Sequence, residues 1–166
     1  MTPLLRTRAL IALTLAPAVT ALGACGNAVT ADVIGTTAVT IDEDGRPVAV
    51  VRVCDGEVDT IQLSGDRTGL ADDEPNPVIG TWRATSGRDG TVELVLGGAN
   101  AGWNGPEALT LADDRTYVVT AARSGADAEA TQVSFSPAQL ASLAPGQVVV
   151  RDGDVVARTD LDECAG

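Results

Sequence analysis

The side chains of this 166-residue chain that could do chemistry are three thiols, several clusters of carboxylates, and one indole in a glycine-rich loop. The thiols belong to Cys25, Cys54 and Cys164. A thiolate is a soft nucleophile that can be alkylated, bridged or bound to a metal. The carboxylates fall in Asp42-Glu43-Asp44, Asp72-Asp73-Glu74, Asp113-Asp114, Asp152 with Asp154, and Asp160, Asp162 with Glu163. Grouped oxygens of this kind can hold Ca²⁺. Asp42-Glu43-Asp44-Gly45, however, lacks the loop length and terminal bidentate glutamate of an EF-hand. Each cluster also sits where a turn uses aspartate for local hydrogen bonds. Solvated turn carboxylates, with no metal, are the expectation.

The chain has no histidine and no lysine. A Ser-His-Asp or Cys-His arrangement therefore cannot be assembled, nor a histidine-containing zinc site. Paired carboxylates can hydrolyse glycosides, but acidic pairs are so frequent here that none is marked out. Gly97, Gly98 and Gly102 lack the lysine and following helix of a phosphate-binding loop. No catalytic residue, cofactor or enzymatic activity is expected. Trp103, within Gly102-Trp103-Asn104-Gly105-Pro106, is different in kind. An indole in such a loop can stack on a sugar ring or anchor a partner, with Asn104 beside it for polar contacts. Its rival role is to fold back over the open end of a β-structure. Trp82 lies in an alternating apolar segment and reads as core.

Cys25 closes an N-terminal segment with its own logic. Arg6 and Arg8 precede the apolar stretch 9–22, which Pro17 interrupts, and Gly23-Ala24-Cys25 follow. The stretch is shorter than the roughly 20 residues of a membrane span and matches the apolar part of a signal peptide. Leu22-Gly23-Ala24-Cys25 resembles the lipobox of bacterial lipoproteins. The resemblance implies cleavage before Cys25, a thioether-linked lipid on its sulfur, and two or three acyl chains, enough for stable anchoring at the extracytoplasmic face of the cell membrane. Plain secretion and a retained anchor are the alternatives. The chain then divides into a signal peptide 1–24, a lipidated N-terminus with a short tether 25–35, and one domain 36–166.

Loss of Arg6 and Arg8 leaves nine basic against 23 acidic side chains, a net charge of −14 for residues 25–166. Such a surface repels phosphate backbones, so no nucleic-acid partner is expected. Membrane attachment falls to the lipid and not to charge. With Cys25 carrying lipid, Cys54 and Cys164 remain to form a disulfide in an oxidising exterior; two separate buried thiols are the alternative.

The elements that must position these residues are strands. Alternating or β-branched runs cover 37–42, 47–53, 58–63, 78–84, 91–96, a strand opening at Leu109, 116–122 and 131–135. Asp152-Gly153 joins 147–151 to 154–158 in the clearest hairpin. Ser136 can cap a helical turn over 137–140 with Pro137 at its first position. Short strands separated by turn signals indicate an all-β, antiparallel sandwich or barrel.

Leu109-Thr110-Leu111-Ala112-Asp113-Asp114-Arg115-Thr116-Tyr117 resembles the strand E to strand F corner of immunoglobulin-like domains, where an aspartate four residues before a tyrosine helps fix the turn. The resemblance implies a β-sandwich of immunoglobulin-like architecture. It departs from antibody-type domains: Arg115 replaces a glycine, no cysteine lies two residues beyond Tyr117, and Cys54 is too far from Trp82. Tyr117 as an ordinary strand aromatic is the alternative. The stretches PGQVVVRDGDVVA (145–157) and DLDECAG (160–166) resemble actinobacterial lipoproteins, a resemblance that brings no activity with it. The expected function is a membrane-anchored, non-enzymatic interaction or accessory module for an envelope protein. A small-molecule or glycan binder using the Trp103 loop is the alternative.

Overall fold

Apolar residues at every second position, broken by glycine- and aspartate-rich turns, give eleven strands and one short helix in the computed structural model, which describes residues 31–162 and Cys164. The signal segment 1–24 and Cys25 lie outside the described residues. The strands are β1 Asp32–Ile41, β2 Pro47–Val53, β3 Val58–Gly65, β4 Val78–Arg88, β5 Thr91–Val95, β6 Trp103–Asn104 and β7 Tyr117–Ala122. After them come β8 Ala128–Thr131, β9 Val133–Phe135, the helix α1 Pro137–Ala141, β10 Gln147–Val149 and β11 Val155–Ala157. Short 3-10 turns cover Arg151–Gly153 and Arg158–Asp162. The fold is all-β.

β1 is the spine of the sheet. One edge pairs with β2 from Gly35 to Ile41. The other edge is shared, with β8 running beside Asp32–Thr36 and β10 meeting Val39. The sheet extends from β1 through β2 to β5 in one direction, and through β8, β7, β3 and β4 to β6 in the other. It curls into a half-barrel. The β1–β8 pair is parallel and the other pairs are antiparallel, so the sheet is mixed and not wholly antiparallel as expected. Alternation along one strand fixes which residues face inward but carries no information on the direction of a neighbour about 95 residues away.

Curling places the principal core inside the half-barrel. Trp82, Phe135, Ile61, Leu63, Leu94 and Leu140 are its largest fully buried side chains. A second cluster lies on the outer face of β1 and β2, where Ala38, Val48, Val50 and Val148 meet Leu161. β2 is therefore buried on both faces, which is why Val48-Ala49-Val50-Val51 is a continuous apolar run and not an alternation.

Several boundaries differ from the sequence expectation. β1 starts at Asp32, inside the stretch assigned to a tether, because β8 supplies a partner that local pattern does not reveal. The segment around Leu109 and Leu111 is not a strand: both leucines turn inward onto the core, yet the backbone joins no ladder. Residues 131–135 divide into β8 and β9, which take different positions against β7. The expected helical turn is present, with the Ser136 hydroxyl accepting the Gln139 N–H at 3.2 Å. The hairpin of β10 and β11 turns at Asp152-Gly153, both with positive φ, as a tight primed turn requires.

Cys54, just beyond β2, is bridged to Cys164 across 110 residues, with a Cα–Cα separation of 5.6 Å. The bridge lies on the surface three residues beyond Leu161, so it holds the chain end that covers the outer face of β1 and β2. Closing a loop of this length is worth about 4–5 kcal/mol in the chain-entropy model, and removing native bridges costs a similar amount. Replacing both cysteines with alanine is expected to lower the unfolding free energy by about 3–5 kcal/mol in urea titrations. An unchanged midpoint would mean that the outer-face cluster alone secures the chain end.

Candidate functional site

The half-barrel leaves a gap between its terminal strands, and residues 96–107 cross it from the end of β5 to the edge of β4. Asn100 knits this loop. Its Oδ1 accepts the Val95 N–H at 2.8 Å, and its Nδ2 donates to the carbonyls of Val95 at 2.9 Å and Gly98 at 2.8 Å. The Trp103 N–H in turn donates to the Asn100 carbonyl at 3.1 Å. β6 then pairs with Arg83 and Ala84 of β4. The Gly102 carbonyl accepts the Thr85 N–H at 3.0 Å, with the Arg88 guanidinium at 3.4 Å.

Trp82 fixes the far side of the loop. It is 1% exposed, and its indole N–H donates to the Pro106 carbonyl at 3.1 Å. Gly105 lies flat against the indole. A Cβ there would collide with Trp82 Cδ1 and come within 2.9 Å of the Thr81 carbonyl oxygen. The glycine is required by close approach and not by a turn.

The result is a concavity of about 540 Å³ whose walls include Trp103, Asn104 and Glu107 together with the backbone of Gly98, Ala99 and Gly105. The volume lies in the usual range for small-ligand sites, about 300–1,000 Å³. Trp103 is half-buried: it packs against the principal core and still faces the concavity. Asn104 and Glu107 are exposed at the rim. An indole can stack on a ring, and polar residues lining the same concavity can hydrogen-bond its hydroxyl groups.

Sequence reasoning selected Trp103 and Asn104, and the fold puts them in one concavity. It missed Asn100 and Glu107. An asparagine between glycines and alanines was the available signal for the first, since its amide can replace a backbone turn. Cys54 and Cys164 are bridged far from this concavity, at the end of β2. Cys25 is outside the described residues.

The acidic clusters sit in separate turns. In the first of them, the Asp42 Oδ1 accepts the N–H groups of Asp44 at 3.0 Å and Arg46 at 2.8 Å. The Arg46 guanidinium reaches Asp42 at 2.8 Å and Asp44 at 3.1 Å. Slight desolvation pushes the Asp42 carboxyl up, but the Arg46 backbone N–H and guanidinium together outweigh it and hold it below the usual range. Among the described residues no group of three or more His, Cys, Asp or Glu is arranged to hold a metal ion.

Tyr117, 4% exposed, does more than pack in a strand. Its hydroxyl oxygen accepts the Ala112 N–H at 2.7 Å and donates back to the Ala112 carbonyl at 3.4 Å. Its ring lies 5.8 Å from that of Phe135.

Comparison of the chain with protein-family models, curated proteins and solved structures found no match.

The loop geometry makes Gly105 a sensitive point. Gly105→Ala is expected to cost about 1–3 kcal/mol of stability, the usual penalty for overpacking, and to alter the near-ultraviolet circular dichroism of the two indoles. A variant with wild-type stability and spectrum would contradict the close approach of loop and Trp82.

Proposed function

We propose that this protein is a lipid-anchored, non-enzymatic module at the outer face of a bacterial cell membrane that holds an envelope saccharide in the Trp103 concavity. The observation that supports the reading is the concavity itself: Trp103, Asn104 and Glu107 line it, on a loop held by Asn100 and Trp82. Aromatic faces with a few placed polar groups are what sugar rings require, because a pyranose offers an apolar face and equatorial hydroxyls. Glu107 and the net charge of −14 after loss of the signal disfavour anionic sugars, so the ligand class is a neutral or N-acetylated oligosaccharide.

The lipobox-like Leu22-Gly23-Ala24-Cys25 supports the anchor. With β1 beginning at Asp32, few residues separate Cys25 from the domain, and the site would work close to the bilayer. An interaction or accessory module for an envelope protein, the first expectation from the sequence, is a separate reading. The exposed large apolar residues Val33, Val78, Ile79 and Val155 are spread over three strands, which favours the concavity over a flat apolar patch.

The architecture reads, at finer grain, as immunoglobulin-like. The Tyr117 hydroxyl bonds back to the backbone at the entry to β7, as in a tyrosine corner. On that reading β4-β3-β7-β8 would take the places of strands C′, C, F and G, and β1-β2-β5 those of A, B and E.

One experiment tests the reading. Calorimetric titration of the protein with N-acetylhexosamine oligosaccharides is expected to give saturable binding that Trp103→Ala weakens at least about tenfold, the scale of losing one ring-stacking contact, without lowering the melting temperature by more than a few degrees. Membrane fractionation of Cys25→Ser in the same series is expected to release the protein or to leave an unprocessed precursor. Absence of saturable binding by the unsubstituted protein would refute the saccharide site, and retention of Cys25→Ser as a processed form would refute the anchor.

A further inference from the structure

We propose that a second crevice, between the segment 107–112 and α1, binds the aliphatic chain of a lipid-type molecule with an uncharged head group. The crevice lies on a different part of the surface from the Trp103 concavity and shares with it the loop that the Trp82 N–H pins at Pro106.

The crevice encloses about 390 Å³. Leu109 and Leu111 form one wall, Pro137 and Leu140 the other, and Ile41 and Leu96 lie between them. Among the described residues, no aromatic ring and no charged side chain lines it. A planar aromatic ligand would find no ring to stack on, and a polar ligand no partner for its hydrogen bonds. A saturated chain needs neither and gains from leaving water. Leu140 and Leu96 are buried, while Leu109, Leu111, Ile41 and Pro137 remain half-exposed. Apolar surface is thus already gathered into a concave shape and only partly covered.

The wall made by the two leucines can yield. Among the described residues, 107–111 make no backbone–backbone hydrogen bond, in contrast to the strands on either side. The segment is held at one end by the Pro106 carbonyl on Trp82 and at the other by Ala112 on Tyr117. Between these points Leu109 and Leu111 pack their side chains on the core, and the Leu109 backbone lies close against Gly97. A segment with few ladder bonds opens at low cost. An inserted chain would lie against the Leu109, Leu111, Pro137 and Leu140 side chains that line the crevice.

Charge at the rim selects the head group. Gly45 lines the mouth, within the turn Asp42-Glu43-Asp44-Gly45-Arg46. Arg46 is the cation of that turn, and it is already paired with both Asp42 and Asp44. A carboxylate or phosphate head group would meet two or three acidic side chains with no free counter-charge. An alcohol or ester would not.

The chain's own lipid is a poor occupant. β1 runs about 30 Å from Asp32 to Ile41 at the rise of a strand, and the crevice lies at the Ile41 end. The seven residue steps from Cys25 to Asp32 span about 25 Å even when fully extended. A lipidated Cys25 sulfur therefore falls short of the crevice and would have to withdraw its acyl chains from the bilayer. The source we commit to is a separate molecule.

The test is methyl NMR of the full chain carrying Cys25→Ser, titrated with 1-dodecanol and, in parallel, with dodecanoate. Saturable shifts of the Leu109, Leu111 and Leu140 methyls are expected with the alcohol, with affinity for the carboxylate about tenfold weaker. Ala141→Trp, which fills the crevice from an exposed helix position without removing a core side chain, is expected to abolish the shifts, and Trp103→Ala to leave them unchanged. Shifts that persist in Ala141→Trp, or no saturable response in the Cys25→Ser chain, would overturn the site. Concentration-dependent self-association that covers the same methyls would overturn it in favour of a second copy of the chain. Crevice methyls of the lipidated chain that are already displaced and unresponsive to alcohol would overturn the separate source in favour of the chain's own lipid.

Discussion

The structure depends most on the way Trp82 is covered. A sheet that curls without closing leaves its core open between the terminal strands, and a chain with four aromatic residues has little bulk with which to plug the gap. Trp82 fills the centre of that gap, and its buried N–H must find an acceptor or lose the cost of desolvation. The Pro106 carbonyl is that acceptor, and Gly105 is the residue small enough to let the loop approach. Everything else on this side follows from the contact. It determines where the loop starts its return across the gap, so it sets the position of Trp103 on one side and of the 107–112 segment on the other.

β1 imposes the complementary constraint at the opposite side of the half-barrel. Its two edges serve three strands, and both faces of its partner β2 are covered. The cover on the outer face comes from Leu161 at the end of the chain, which the Cys54–Cys164 bridge keeps in place. The rigid side of the domain is thus stapled covalently, while the side that carries both concavities is held by a handful of hydrogen bonds and side-chain contacts. That asymmetry suits a binding module, in which the scaffold is fixed and the loops are free to be shaped by what they hold.

Much of the strand pattern was legible because alternation and turn chemistry are local. β2 was read with its observed bounds, and the Asp152-Gly153 hairpin and the Ser136 cap were read from their turn and capping residues. Pairing of the cysteines was legible from parity once Cys25 was set aside. The parallel β1–β8 pair was not, because direction is a property of two distant segments. Leu109 and Leu111 misled for a related reason. Their alternation is real and both face the core, but the ladder that would make them a strand has no partner there. For the candidate site, Trp103 and Asn104 stood out by type, whereas Asn100 and Glu107 matter through where the loop folds them, which composition does not show.

Both proposed sites rest on one physical claim: that the Trp82 N–H to Pro106 contact pins the loop that walls them. Amide hydrogen exchange of Trp82→Phe, which keeps the apolar bulk and removes the N–H, tests that claim directly. The account requires faster exchange at the loop-anchored amides of Thr85, Gly98 and Trp103, with the amides of Ile61 and Val119 in the central strands still protected. Unchanged exchange at the first set, or equal acceleration at both, would contradict it.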